Sequence, residues 1–227
     1  MINIAIDGPG GAGKSTVARE AAETMGLHYV DTGAMYRGLG YYLLSRGVDI
    51  SREDEVEKAV ASLDVQVTYT DEGQQVWVEG ENMTPYIRTP EAGDASSRTA
   101  VYGCVRERLL QLQRDLAACY DVIMDGRDIG TNILPQADLK VYLTADPRER
   151  GRRRYREFLE KGRTDVDLEQ IIEDIRRRDE RDMNRAIAPL CQAEDARLLD
   201  TTHMTREEVV DQLCRWIAPL QKKEKEE

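Results

Sequence analysis

Residues 2–16, Ile2-Asn3-Ile4-Ala5-Ile6-Asp7-Gly8-Pro9-Gly10-Gly11-Ala12-Gly13-Lys14-Ser15-Thr16, run from an apolar strand-like segment straight into a glycine-rich turn. Gly8, Gly13, Lys14 and Ser15 satisfy the spacing Gly, four residues, Gly-Lys-Ser/Thr, in which a loop aims its backbone N–H groups at the oxygens of a nucleotide. Residues Gly8 to Thr16, with Pro9, Gly10, Gly11 and Ala12 between the motif positions, read as that phosphate cradle. Lys14 reaches toward the β and γ phosphates, Ser15 offers a hydroxyl to Mg²⁺, and a helix starting near Gly13 points its positive end at the same anion. Thr16 to Met25 has the composition of such a helix. An apolar strand before the turn and a helix after it are the context the motif requires.

Working outward, further apolar runs occur at Leu27 to Val30, Asp121 to Met124, Lys140 to Leu143 and Arg197 to Leu199, with helical stretches between most of them. That alternation predicts an α/β fold, a parallel sheet flanked by helices, with its ligand at the carboxyl ends of the strands. Residues 65 to 80 differ. Val65, Val67 and Tyr69 alternate with polar residues, Asp71-Glu72-Gly73 turns, and Val76 and Val78 alternate again. A small antiparallel insert near 62–85 is therefore expected on the P-loop core. Arg106 to Cys119 carries Leu109, Leu112 and Leu116 on one helical stripe. Thr205 and Glu208 form a capping box for a last helix through Trp216, and 221–227 is a charged tail expected to fray.

The chain has 227 residues, one third of them charged, and a net charge of −11. Such a balance disfavours nucleic-acid polymers and anionic membranes as partners. No apolar run approaches the roughly twenty residues of a membrane span, and no charged leader precedes the loop, so a cytoplasmic protein is expected. Cys104, Cys119, Cys191 and Cys214 lack any CxxC spacing and read as reduced, mostly packed thiols. His28 and His203 have no partners suited to acid–base work and read as structural.

Two places carry chemistry besides the loop. Asp31-Thr32-Gly33-Ala34-Met35-Tyr36-Arg37 sets a hydroxyl, a glycine turn and an arginine after the second strand. Asp125-Gly126-Arg127-Asp128 follows a third, and an acid there either orients hydrated Mg²⁺ or closes a tight turn with a salt bridge. The stretch 148–185 is dense in arginine, with acids interleaved. Most of these residues read as solvated i,i+4 pairs. Arg178, Asp182 and Arg185 fall at i, i+4 and i+7, however, so one helical face would present two guanidinium groups beside a carboxylate. Gly162 divides the stretch into a hinged pair of helices, the form expected of a lid.

DGPGGAGKST, DTGAMYR, IRTPE at Ile87 to Glu91, DGRDIGT and RDERDMNRAIAPL, in this order and spacing, resemble the bacterial-type cytidylate kinases over nearly the whole chain. The resemblance implies a P-loop NTPase core, an antiparallel insert in the monophosphate-binding region, a helical lid, and ATP-dependent phosphorylation of CMP and dCMP in pyrimidine nucleotide metabolism. It implies one kinase domain with core segments 1–31, 86–147 and 186–220, a monophosphate-binding region at 32–85, and a lid with its adjoining helix at 148–185. Lys14, Arg37, Arg127, Arg178 and Arg185 become the expected catalytic residues. Arg37, Arg127 and Arg185 would contact the CMP phosphate, while Ser97, Arg106 and Asp128, with Thr32 where the family commonly has serine, would read the cytosine edge. Tyr36 joins the substrate set. Asp182, with Arg178, resembles the pair that holds the pentose hydroxyl. Arg150 and Arg154 resemble lid arginines on adenine or the ATP phosphates, with neighbouring arginines open to the same role. Ser15 is the expected metal ligand, Mg²⁺ and ATP the expected cofactor and donor, and a monomer the expected state. Another small-molecule P-loop kinase is the alternative. A GTPase-like switch needs an Asn-Lys-x-Asp element, which does not occur.

Overall fold

The computed structural model describes residues 1–224. The chain divides into two compact units, Met1–His28 with Asp121–Glu227, and Tyr29–Tyr120.

In the first unit, β1 (Asn3–Asp7) lies between β6 (Val122–Gly126) and β7 (Leu139–Thr144), and β8 (Arg197–Asp200) extends the sheet beyond β7. β2 (His28–Asp31), where the first unit passes into the second, is the opposite edge of the order β2-β6-β1-β7-β8. The pairs β1–β6, β1–β7 and β7–β8 are parallel, and their register sets Asp7 level with Gly126 and Tyr142. The strands are continuous apolar runs because helices cover both faces of such a sheet. Ile4, Ile6, Ile123 and Met124 are fully buried, each worth about 1.5–3 kcal/mol relative to exposure.

Helix α1 (Lys14–Met25) starts at Gly13 and stops at Gly26, both in the left-handed conformation. α8 (Arg206–Glu224) opens with the expected capping box: Thr205 N–H donates to Glu208 Oε2 (2.8 Å) and Glu208 N–H to Thr205 Oγ1 (3.2 Å). It runs beyond Trp216 and through Pro219 to Glu224, with Leu213 and Ile217 fully buried one turn apart. Past the proline, Gln221 Nε2 donates to Met25 O (2.7 Å). Residues 225–227 of the expected tail lie outside the described residues. Between β7 and β8 stand α6 (Pro147–Glu160) and α7 (Leu168–Asn184), divided by Gly162 at φ +76°.

The second unit holds α2 (Thr32–Ser45), α3 (Glu53–Val60), the antiparallel strands β3 (Val65–Thr70), β4 (Gly73–Val78) and β5 (Glu81–Asn82), then α4 (Pro90–Thr99) and α5 (Gly103–Cys119). The expected hairpin has a third strand. Glu79 and Gly80 both adopt positive φ, and this two-residue turn brings Trp77 opposite Asn82. The glycine turn expected after Asp31 is helical instead. Asp31 caps α2 by accepting from Ala34 N–H (2.7 Å), so Gly33 lies in the first turn of the helix. Gly40 is required within α2, since a Cβ there would stand 3.0 Å from the backbone of Ala95 and Ser96 in α4. All four thiols are free, but Cys119 and Cys191 are exposed, so the expectation of packed cysteines holds only in part.

Candidate active site

The first unit gathers cations around the P-loop. Lys14 is buried, and its ammonium donates to Pro9 O at 2.8 Å. Burial pushes its pKa down to about 7, Arg127 and Arg178 repel its charge, and Asp125 and Asp7 work the other way. A Cβ on Gly10 would lie 3.5 Å from Arg127 Nη2 and 3.6 Å from Arg178 Cδ, which puts both arginines beside the loop apex. At the start of the loop, Gly8 has φ +150° and a Cβ there would fall 1.9 Å from Leu143 O. Ser15 Oγ donates to Asp125 Oδ2 (2.8 Å), so the carboxylate near the end of β6 and the P-loop hydroxyl face the same point. A hydroxyl and a carboxylate together are suitable oxygen donors for Mg²⁺.

Asp7 has a role that its place at the end of an apolar strand did not reveal. Its carboxylate accepts from Ile129 N–H (2.8 Å) and Gly130 N–H (2.7 Å), pinning the π-helical turn Ile129–Ile133 that follows Asp128. Burial outweighs these two donors and raises the Asp7 carboxyl from its ordinary 3.8 to about 6. A group whose folded pKa exceeds its unfolded one contributes stability that is complete below the unfolded value and lost as pH rises through the folded one. Between about pH 4 and about pH 7 the wild type is thus expected to lose about 1–3 kcal/mol relative to Asp7→Asn. Urea midpoints of the two proteins across that range check this, and a pH-independent gap would refute it.

Arg127 and Asp128, two of the expected acceptor residues, immediately precede the turn fixed by Asp7. Arg127 Nε donates to Asp182 Oδ2 (2.9 Å), and Arg185 Nη2 donates to Asp128 Oδ1 (3.0 Å). Burial opposes the Arg127 charge, but Asp182 more than compensates and raises its pKa; burial likewise opposes ionisation of Asp182, while Arg127 and Arg178 hold it below the usual carboxylate range. Arg185 is not on the helical face expected. α7 ends at Asn184, Arg185 is extended (φ −64°, ψ 144°), and its Nε donates to Ala188 O at 2.8 Å. Where the chain leaves the helix, the guanidinium bonds Asp128 and the following loop. Arg150, one of the two arginines expected at ATP, is 2% exposed, and its guanidinium meets Ala145 O, Gly10 O and Asp179. Arg154, one turn on, faces outward, 4.8 Å over the Phe158 ring and bonded to Glu157 (3.2 Å).

In the second unit, Arg37 turns back on α2 and donates to Asp31 Oδ2 (2.8 Å). A Cβ on Gly33 would be 2.7 Å from Arg37 Nη1, so the glycine clears the arginine's path. Gln74 of β4 brackets Asp31, accepting from its N–H (2.8 Å) and donating to its carbonyl (3.0 Å), which fastens the insert to the start of α2. Thr32 and Ser97 are buried; Arg106 is buried too, its guanidinium 5.7 Å from the Tyr36 ring centroid and bonded to Ala100 O (3.3 Å). The TPE at Thr89 to Glu91 is a helix start: Thr89 caps α4 and Pro90 occupies its first turn, which fixes Ser97 two turns later.

The family model described as cytidylate kinase matches residues 4–218. The chain belongs to the cytidylate kinase family. Proteins named cytidylate kinase from Caldicellulosiruptor bescii, Pseudomonas aeruginosa and Bacillus subtilis are 43%, 46% and 44% identical to it. Their alignments cover 98%, 93% and 93% of this chain and 98%, 93% and 94% of the relatives. A solved structure of an uncharacterised protein from Eubacterium ventriosum shares the fold at a TM-score of 0.52 and 12% identity, over 96% of this chain and 99% of that one. Membership in the cytidylate kinase family makes the protein a nucleoside monophosphate kinase with a P-loop NTPase fold, using a nucleotide phosphate donor. Among the described residues, no helix is long and apolar enough to cross a membrane.

Proposed function

We propose that this protein transfers the γ-phosphoryl group of ATP in line onto the phosphate of CMP and dCMP, giving CDP and dCDP. The observation that carries this reading is the placement of Arg127 and Arg178 beside the apex of the glycine loop whose Lys14 is buried. Cations that disfavour one another in a buried site are relieved when an anion sits among them. The acceptor phosphate is already anionic at neutral pH, so a strong general base is unnecessary, and the work left to the chain is orientation, charge stabilisation and exclusion of water.

Lys14 and the N–H groups of the loop Gly8 to Thr16 other than Pro9, which has none, hold the donor phosphates, and Arg150 and Arg154 serve the ATP side, Arg150 through the loop and Arg154 toward the adenine or phosphates. Ser15, with Asp125, would hold Mg²⁺, which would supply charge neutralisation at the donor phosphates. Arg37, Arg127 and Arg185 bind the CMP phosphate, for which the planar fork of guanidinium is suited. Thr32, Tyr36, Ser97, Arg106 and Asp128 select cytosine: a carboxylate accepting from the exocyclic amine would face an unfavourable carbonyl in uracil. Asp182 and Arg178 hold the pentose. In this reading 32–85 is the monophosphate-binding region, 148–185 the lid with its adjoining helix, and the enzyme is a cytoplasmic monomer.

The test is ADP release with ATP and a panel of AMP, UMP, CMP and dCMP. CMP and dCMP are expected to dominate. Equal rates on all four would remove the cytosine assignment, and tight GTP binding without ADP formation would remove the kinase reading.

A further inference from the structure

A P-loop that turns its N–H groups toward an anion must send its carbonyls elsewhere, and a buried carbonyl needs a donor. Gly10 at the loop apex has one from outside the loop. Arg150 Nη1 donates to Gly10 O at 2.9 Å, its Nε donates to Ala145 O at 2.9 Å where β7 has just ended, and its Nη2 donates to Asp179 Oδ2 at 2.5 Å on α7. Each of the three guanidinium nitrogens thus donates to a protein group. Asp179 supplies a formal charge bonded to it, and the two side chains are 3% and 12% exposed. Asp182, three residues further along α7, holds Arg127 of the acceptor turn in the same manner. One helix therefore presents two carboxylates with separate duties, the earlier tied to the donor loop and the later to the acceptor turn.

We propose that Asp179 is a positioning residue for the phosphate donor: by holding Arg150 against the Gly10 carbonyl, it sets the shape of the P-loop apex. The inference rests on the donor reading above. Removing the carboxylate charge leaves Arg150 held only by carbonyls, with no charged partner to fix its plane, so Gly10 has a less fixed donor and the loop N–H groups lose part of their aim. The acceptor turn keeps its own tie through Asp182.

The experiment compares wild type, Asp179→Asn, Asp179→Glu and the double variant Arg150→Met/Asp179→Leu. KM for ATP, KM for CMP, kcat, thermal midpoint and binding of a fluorescent ATP analogue without CMP are measured for each. Asp179→Asn is expected to raise KM for ATP and weaken analogue binding by about tenfold, with KM for CMP within about twofold of wild type. The glutamate variant is expected to restore part of the affinity. The double variant replaces a buried pair with apolar groups, which is often neutral for stability, so its midpoint is expected to recover while KM for ATP stays high. Recovery of ATP affinity together with the midpoint in the double variant would reduce the pair to a structural tie and overturn the proposal. Equal rises in both KM values would also overturn it. Failure of the wild type to bind the analogue would remove the donor reading itself, a result distinct from either of these.

Discussion

Replacing Arg185 with alanine is expected to lower kcat/KM for CMP by about 10³ while leaving binding of an ATP analogue measurable. Two effects combine. The first is loss of a cation proposed to meet the transferring charge; a single preorganised donor of this kind is worth about 10²–10³ in rate, and a transition-state arginine more. The second is local. Arg185 and Asp128 form a pair in which both side chains are under a tenth exposed, and removing one partner of a buried pair costs about 3–5 kcal/mol because the other charge is left stranded. Asn132 Nδ2 also donates to Asp128 Oδ2 (3.1 Å), which keeps the carboxylate partly satisfied and the turn in place. Steady-state kinetics with CMP varied, beside calorimetry, separates the two. Lysine at 185 restores charge without the planar fork and is expected to recover only a fraction of the rate. Turnover near wild type in the alanine variant would end the assignment of Arg185 to the reaction.

Gly8→Ala is expected to be the most damaging single methyl group in the protein. At φ +150° an L side chain is strained, and its Cβ would overlap Leu143 O at 1.9 Å, a backbone atom that cannot rotate away. Relief requires moving β1 away from β7, its partner in the central sheet. A cost of at least about 3 kcal/mol follows, or a drop of about 6–12 °C in Tm for a chain of this size. ATP-analogue binding should fall by about 10² or more, since the first residue of the cradle shifts with the strand. Gly13→Ala is the control. Gly13 is also left-handed, at φ +89°, but nothing lies within 4 Å of its Cβ position, so that change should cost only about 1–2 kcal/mol of backbone strain. Similar melting of the two variants would show that φ alone, and not the contact with β7, makes Gly8 necessary.

Much of the donor half was legible in the chain because its signals are local. The Gly8 to Ser15 spacing, the apolar run before it and the helix after it lie within one short segment, and the strand runs around Ile123 and Val141 carry their burial on their surface as uninterrupted apolar residues. The hairpin from Val65 to Val78 showed in its alternation. The start of α2 was harder to read: the glycine after Thr32 suggested a turn, while the decisive feature is the capping oxygen of Asp31 one residue earlier. The third strand of the small sheet was missed for a similar reason, since Glu79 takes a positive φ that its identity does not advertise and only Gly80 hinted at it.

The arginines mark the boundary between the two kinds of information. Arg150 and Arg154 have the same chemistry and stand one helical turn apart, so periodicity makes them equivalent. Tertiary packing buries one against Gly10 and Asp179 and leaves the other over Phe158 in solvent. Arg185 continues the spacing of Arg178 and Asp182, yet the helix ends before it and its partner is Asp128, 57 residues away. Asp7 reads as the last residue of a strand, and its two donors lie 122 and 123 residues further on. By itself the sequence determined the class of fold, the phosphate loop and the family, because spacing and apolar period act within a few residues. Only the tertiary structure decided which charges face the loop, which support it from behind and which remain in water. A charged side chain gains most from the partner that meets it where water is excluded, and that partner is brought by the fold from a distant part of the chain.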